Sequence, residues 1–198
     1  MNALTILRRT QTDDEGGFTL VELLVVMALL LIIGSIVVNG LVAGLRATER
    51  GRARVEALTD LERAAERMAR DLRFADPVDA ASSSSVIVNV LRDPTGTRVR
   101  HRVTYTVSAG TITETRAIYS PPSAAVASST TTQTIIDNLD PAVTVFGFSK
   151  ANGQAWMVGT DELTHLAEIR IALQRELPDQ EPITVETSVF VRNVEDGR

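Results

Sequence analysis

The sequence has no cysteine, which excludes a disulfide framework, a thiol nucleophile and any cysteine metal site. It has two histidines, His101 and His165, too few for a histidine-rich metal centre. Lysine is nearly missing as well: Lys150 is the only one, and the remaining basic residues are arginines. No proline falls between Phe18 and Arg73, so nothing there breaks a long helix. Glycine-rich phosphate loops are absent, and no local motif assembles a Ser-His-Asp triad. No repeat of solenoid period is present. Asp161 and His165 have the four-residue spacing of a metal pair on a helix, but no third ligand accompanies them, and they read as ordinary surface residues. Asp76, Asp79 and Asp93 fit no calcium-loop spacing. Taken together, these absences leave no enzyme in view: no catalytic residue, cofactor or metal is expected.

The 198 residues allow one or two domains. Net charge is −5, unevenly spread. Residues 46–73 hold eight arginines and six acids, a net of +2, whereas residues 74–198 hold ten basic and fifteen acidic side chains, a net of −5. An acidic C-terminal portion lacks the basic footprint of a nucleic-acid surface, so no nucleic-acid contact is expected.

What is present is one long apolar run. From Leu23 to Leu45 there is no charged side chain. As a helix that run covers about 34 Å, enough for a hydrocarbon core of roughly 30 Å. Glu22 stands at its edge. An ionisable group at membrane depth costs about 2.5–3.5 kcal/mol on insertion scales, which makes Glu22 a functional candidate. Just before it comes Gly16-Gly17-Phe18-Thr19-Leu20-Val21.

The pattern predicts one helix from Phe18 to about Arg73, with a soft point at Asn39-Gly40 and a Gly40-to-Gly44 GxxxG spacing that would let helices approach in lipid. Past the apolar run, Leu58, Leu61, Ala65, Met68 and Leu72 form one face, expected to pack on the chain's own sheet. Glu66–Arg70 and Arg67–Asp71 are expected to pair along the helix. Asp76-Pro77 ends it. A small polar connector, 80–85, leads to strands over 86–91, 98–107, 111–119, 143–148, 166–173 and 183–191, with turns at Asp93–Gly96, Ser108–Gly110 and Asn152-Gly153. Pro121 to Thr134 reads as an exposed loop, and Ile135 to Leu139 as a short turn of helix.

Gly17-Phe18-Thr19-Leu20-Val21-Glu22-Leu23-Leu24, followed by the apolar run, resembles the N-terminus of type IV pilins and of the pseudopilins of secretion and DNA-uptake machines. The resemblance implies a leader of residues 1–17, cut after Gly17 by a prepilin peptidase that also methylates Phe18, and it implies that Glu22 is an assembly contact. It implies an α+β fold: a long N-terminal helix, transmembrane in its first half, packed on an antiparallel β-sheet. The chain then divides into the leader 1–17, an anchor and filament-core helix 18–45, its amphipathic continuation 46–75, and a head 76–198. Asp71-Leu72-Arg73, Val103-Thr104-Tyr105 and Phe190-Val191-Arg192-Asn193 are similar to minor pseudopilins of the J class.

The implied partners are the prepilin peptidase, other pilin or pseudopilin subunits, an assembly platform and the cytoplasmic membrane, with the head outside. The flanks pull the other way. Arg8 and Arg9 precede the span while Arg46, Arg50, Arg52 and Arg54 follow it, which by the positive-inside rule favours an inside C-terminus. The expected role is a minor pilin or pseudopilin subunit of a pilus, a type II secretion system or a DNA-uptake apparatus. A bitopic, membrane-anchored binding protein and a major pilin are the other readings.

Overall fold

A computed structural model describes residues 19–92 and 98–191, the side chains of 76 and 77 excepted. The leader, Gly17, Phe18, the turn at 93–96 and residues 192–193 lie outside the described residues. The chain forms two units, residues 1–49 and 50–198.

Helix α1 spans Leu20–Arg73. It begins where Thr19 caps it: the Glu22 N–H donates to Thr19 Oγ1 at 3.2 Å, and the Leu23 N–H to the Thr19 carbonyl at 3.1 Å. In the first unit the apolar side chains of α1 are exposed throughout. Two hydroxyls in this unit bond back to the helix: Ser35 Oγ donates to the Ile32 carbonyl at 2.8 Å and Thr48 Oγ1 to the Gly44 carbonyl at 3.0 Å. A hydroxyl satisfied by its own helix is compatible with lipid. No break occurs at Asn39-Gly40; the helix runs through.

In the second unit α1 buries Ala57, Leu61, Ala64, Ala65, Met68, Ala69 and Leu72. The expected face is therefore right in four of its five positions; Leu58 lies at its margin, 38% exposed, and Ala57 takes its place. Among the described residues eight strands follow, more than the six expected, in two sheets. Strands β1 (Ala75–Ser82), β2 (Ser85–Arg92), β3 (Val99–Ser108), β4 (Thr111–Tyr119) and β5 (Ser129–Ile136) form one antiparallel sheet in chain order. Strands β6 (Phe146–Lys150), β7 (Leu166–Arg175) and β8 (Ile183–Phe190) form the other. One core joins them: Leu61, Met68 and Leu72 of α1 with Val86, Val88, Val103, Phe146, Ile169 and Ile171.

Two strands replace expected loops. β1 occupies the helix-stop and connector region; its register with β2 shifts between Ala75 and Val78, across Asp76-Pro77, where proline has no N–H to give a ladder. β5 replaces the last six residues of the Ser/Thr-rich loop and the start of the expected turn of helix. Its β-branched threonines suit extended backbone, and its outward exposure removes the alternation that usually marks a strand. The β3–β4 hairpin turns at Ala109 (φ 47°) and Gly110 (φ 72°), as expected. Gly110 is required twice over there, because a Cβ would stand 2.4 Å from the Leu139 carbonyl oxygen.

Candidate functional site

Glu22 lies in the first turn of α1, exposed, three residues after the Thr19 cap. A carboxylate there is favoured by the positive end of the helix dipole. The helix that follows is long and apolar enough to cross a membrane. Its apolar side chains from Leu23 through Leu45 are exposed among the described residues. Such a surface calls for lipid or for other helices.

Residues 13–38 match the model of the prokaryotic N-terminal methylation motif. The chain carries the N-terminal motif of type IV pilin-like proteins. Gly17, Phe18 and Glu22 all fall inside the matched span. The motif marks a family of structural subunits that are processed by prepilin peptidase and assemble with other pilins, and together with the apolar helix it is consistent with a membrane anchor and an extracytoplasmic head. No curated protein matches the chain.

The head of this pilin-like chain holds a second cluster that sequence reasoning missed. Strand β4 presents Ile112, Glu114, Arg116 and Ile118 on alternate positions, a row with a charge pair in its middle. Cross-strand register sets Glu114 opposite Tyr105 and Arg116 opposite Val103. Asp71 comes down from the last turn of α1. Glu114 is fully buried and Asp71 nearly so. Glu114 Oε2 accepts from Arg67 Nε at 2.8 Å, and its Oε1 accepts from Arg116 Nε at 3.0 Å and Gln133 Nε2 at 3.3 Å. Asp71 Oδ1 accepts from Arg92 at 3.0 Å, and Oδ2 from the Tyr105 hydroxyl at 3.0 Å and from Arg116. Arg116 thus bridges both acids and ties helix to sheet.

This clamp overturns the expected helix pairs. Arg67 and Asp71 turn away from each other, one to Glu114 and the other to Arg92 and Arg116. Glu66 and Arg70, both exposed, form no ion pair among the described residues. Burial pushes the Glu114 carboxyl up, but hydrogen bonds from Arg67 and Arg116 win and hold it below the usual range. Burial, then Asp71 and Glu114, push the Tyr105 phenol far up, so it stays a donor. Burial, then Arg116 and Arg92, hold the His101 imidazole below its ordinary value, and its buried Nδ1 has no hydrogen-bond partner among the described residues. A sequence signal for the clamp exists in the Ile-x-Glu-x-Arg-x-Ile alternation, but its partners come from four other elements.

The other polar candidates are engaged structurally. Asp79 receives Asn89 Nδ2 at 2.6 Å and faces Arg102 at 3.4 Å. Asp161 accepts the Met157 N–H at 2.8 Å and pairs with Lys150 at 2.8 Å. His165 ends a separate short 3-10 helix, Leu163–His165, so the two do not share a helical face.

Proposed function

We propose that the chain is a minor pilin or pseudopilin subunit, cut after Gly17, methylated at Phe18 and built into a filament through Glu22. Residues 1–17 are the leader in this reading, 18–45 the anchor and filament core, 46–75 the amphipathic continuation of the helix and 76–198 the head. The observation that carries it is Glu22 in the first turn of a helix whose apolar surface the chain leaves uncovered, inside a matched methylation motif.

Cleavage frees the amine of Phe18, next to the Thr19 cap. That amine of one subunit pairs with the Glu22 carboxylate of its neighbour. Each charge is costly in lipid alone and much less so together. Removing one partner strands the other, which costs more than the pair contributes. The minor-subunit reading draws on the eight-stranded head and on the Asp71-Leu72-Arg73 and Val103-Thr104-Tyr105 motifs.

The test is made in cells that express the prepilin peptidase. Glu22→Ala should leave the chain cut but absent from filaments, and Gly17→Trp should leave it uncut and full length. Normal incorporation of the Glu22→Ala chain into filaments would overturn the reading.

A further inference from the structure

Eight large apolar side chains are exposed among the described residues of 50–198. Val55 and Leu58 belong to α1. The other six, Phe74, Leu91, Val126, Met157, Val158 and Phe190, all stand at one end of the head. The pairing fixes that end. Arg92 closes β2 and pairs with Asp71 in the last turn of α1. Phe74 and Leu91 lie one step beyond the Ala75–Val90 pair. Leu91 faces Arg100 across the ladder and Arg100 faces Tyr119, so the turn after β4, with Val126, is at that end too. In the second sheet β7 finishes at Arg175, which lies 3.6 Å from Asp60. The loop after it is seated where α1 enters the head: Arg54 donates to the Glu181 carbonyl at 3.2 Å, Gln180 Nε2 to the Arg50 carbonyl at 3.4 Å, and Arg50 lies 3.9 Å from Asp179. The start of β7 and the ends of β6 and β8 therefore fall at the Arg73 end, and carry Met157, Val158 and Phe190 there.

Met157 and Val158 differ from the rest in belonging to a braced turn. Trp156 before them is buried: its N–H donates to the Phe148 carbonyl at 3.1 Å, its ring meets Phe148 edge-on at 5.7 Å, and its Nε1 donates to the Glu162 carbonyl at 2.9 Å. Asp161 after them is held by Lys150 and by the Met157 N–H, while the Thr160 and Asp161 N–H groups return to the Met157 carbonyl at 3.2 and 3.0 Å. Gly159, at φ 76°, supplies the left-handed step inside the turn. Both ends of the turn are thus fixed, yet its tip is apolar: Met157 is 61% exposed and Val158 55%. Turns ordinarily carry glycine, asparagine, aspartate or serine at such positions. The bonds that hold this one come from backbone groups, Trp156, Lys150 and Asp161, which leaves the Met157 and Val158 side chains free to meet something else.

We propose that this end of the head docks into an apolar hollow on a different pilin-type subunit, the one ahead of it in the filament, with Met157 and Val158 as the anchor. Subunits drawn from one membrane share one orientation. The head joins the apolar helix through Arg50, so its Arg73 end is the one that meets the subunit already in place. A minor subunit has neighbours unlike itself, so the partner is another chain, and the inference rests on that reading. A few anchoring side chains carry most of the energy of such contacts, and a tip that is already held in shape loses little freedom on binding. Methionine adapts to the hollow it enters. The other four exposed apolar side chains of this end give the contact its breadth.

The test uses the full-length chain in cells that build the filaments. A photo-crosslinking residue, p-benzoylphenylalanine, replaces Met157; filaments are collected after irradiation and the adduct is identified by mass spectrometry. The expected adduct joins this chain to a second, different chain that carries its own N-terminal methylation motif. An adduct with another copy of this chain, an adduct with a protein lacking that motif, or no adduct from filaments that contain the chain would overturn the proposal. Polar replacement of similar size gives the second arm. Met157→Gln with Val158→Thr should lower incorporation into filaments about tenfold. The head's melting temperature should not move, because both side chains are exposed. Normal incorporation counts against the contact, and so does a loss that comes with a lower melting temperature. Wild-type chain that enters no filament removes the assembly reading itself, whereas wild-type incorporation without the adduct removes only this contact.

Discussion

Asp71 and Glu114 are where single substitutions should be felt most. Each is buried, and removing either strands the arginine that it alone pairs, Arg92 for Asp71 and Arg67 for Glu114. Asp71→Ala or Glu114→Ala should cost about 3–5 kcal/mol in denaturant unfolding of the head. Asp179→Ala, in an exposed and loose pair, should cost about 0–1 kcal/mol. The clamp also sets a pH dependence. The Glu114 carboxyl is held low in the folded head, so its stabilisation is complete above the ordinary carboxylate range and is lost as pH falls through the folded value. His101 adds to this with the same sign: held low when folded, it binds protons less readily than in the unfolded chain, so stability drops as pH falls below about 6.5. The unfolding midpoint should therefore decline on acidification, and Glu114→Gln should flatten the decline in the carboxylate range.

At the scale of elements, the head depends on the short buried stretch of α1. Leu61 is fully buried against both sheets' core, and Leu61→Ala should destabilise by about 2–5 kcal/mol, measured by thermal or denaturant unfolding. How legible each element is in the sequence follows from how its signal is written. The anchor helix is legible because an uncharged run has few competing readings. Strands β3, β4 and β7 are legible because β-branched or aromatic residues recur on alternate positions. β1 is hidden by an Asp-Pro pair that reads as a stop, and the register shift that absorbs it appears only once β2 lies alongside. β5 is hidden because an exposed, hydroxyl-rich strand looks like a loop; only pairing with β4 distinguishes them. The clamp is hidden for a different reason. Arg67–Asp71 is a reasonable helix pair until the sheet offers each member a partner it bonds directly.

At the scale of the whole molecule, the two units have different needs. Residues 50–198 contain the complete core described above, while the apolar side chains of residues 20–45 contribute nothing to it. A fragment from Arg50 to Arg198 should stay in solution without detergent and unfold in a single cooperative transition, seen by size-exclusion chromatography and circular dichroism. A fragment that needs detergent would show that the head depends on the anchor. The arginines that follow the apolar run also acquire a use: Arg50 and Arg54 hold the β7–β8 loop, so their number reflects head folding as well as insertion.

The outer edge of β5 carries a practical consequence. Ser129 to Ile136 contains no charge, no proline and only hydroxyl, amide and aliphatic side chains, six of them exposed. Natural sheets protect such edges with charges, prolines or twists, and an edge without them is a template for another strand. In concentrated preparations the released head should creep toward edge-paired aggregates through this strand, and Thr130→Lys should keep it monodisperse at concentrations where the natural sequence does not.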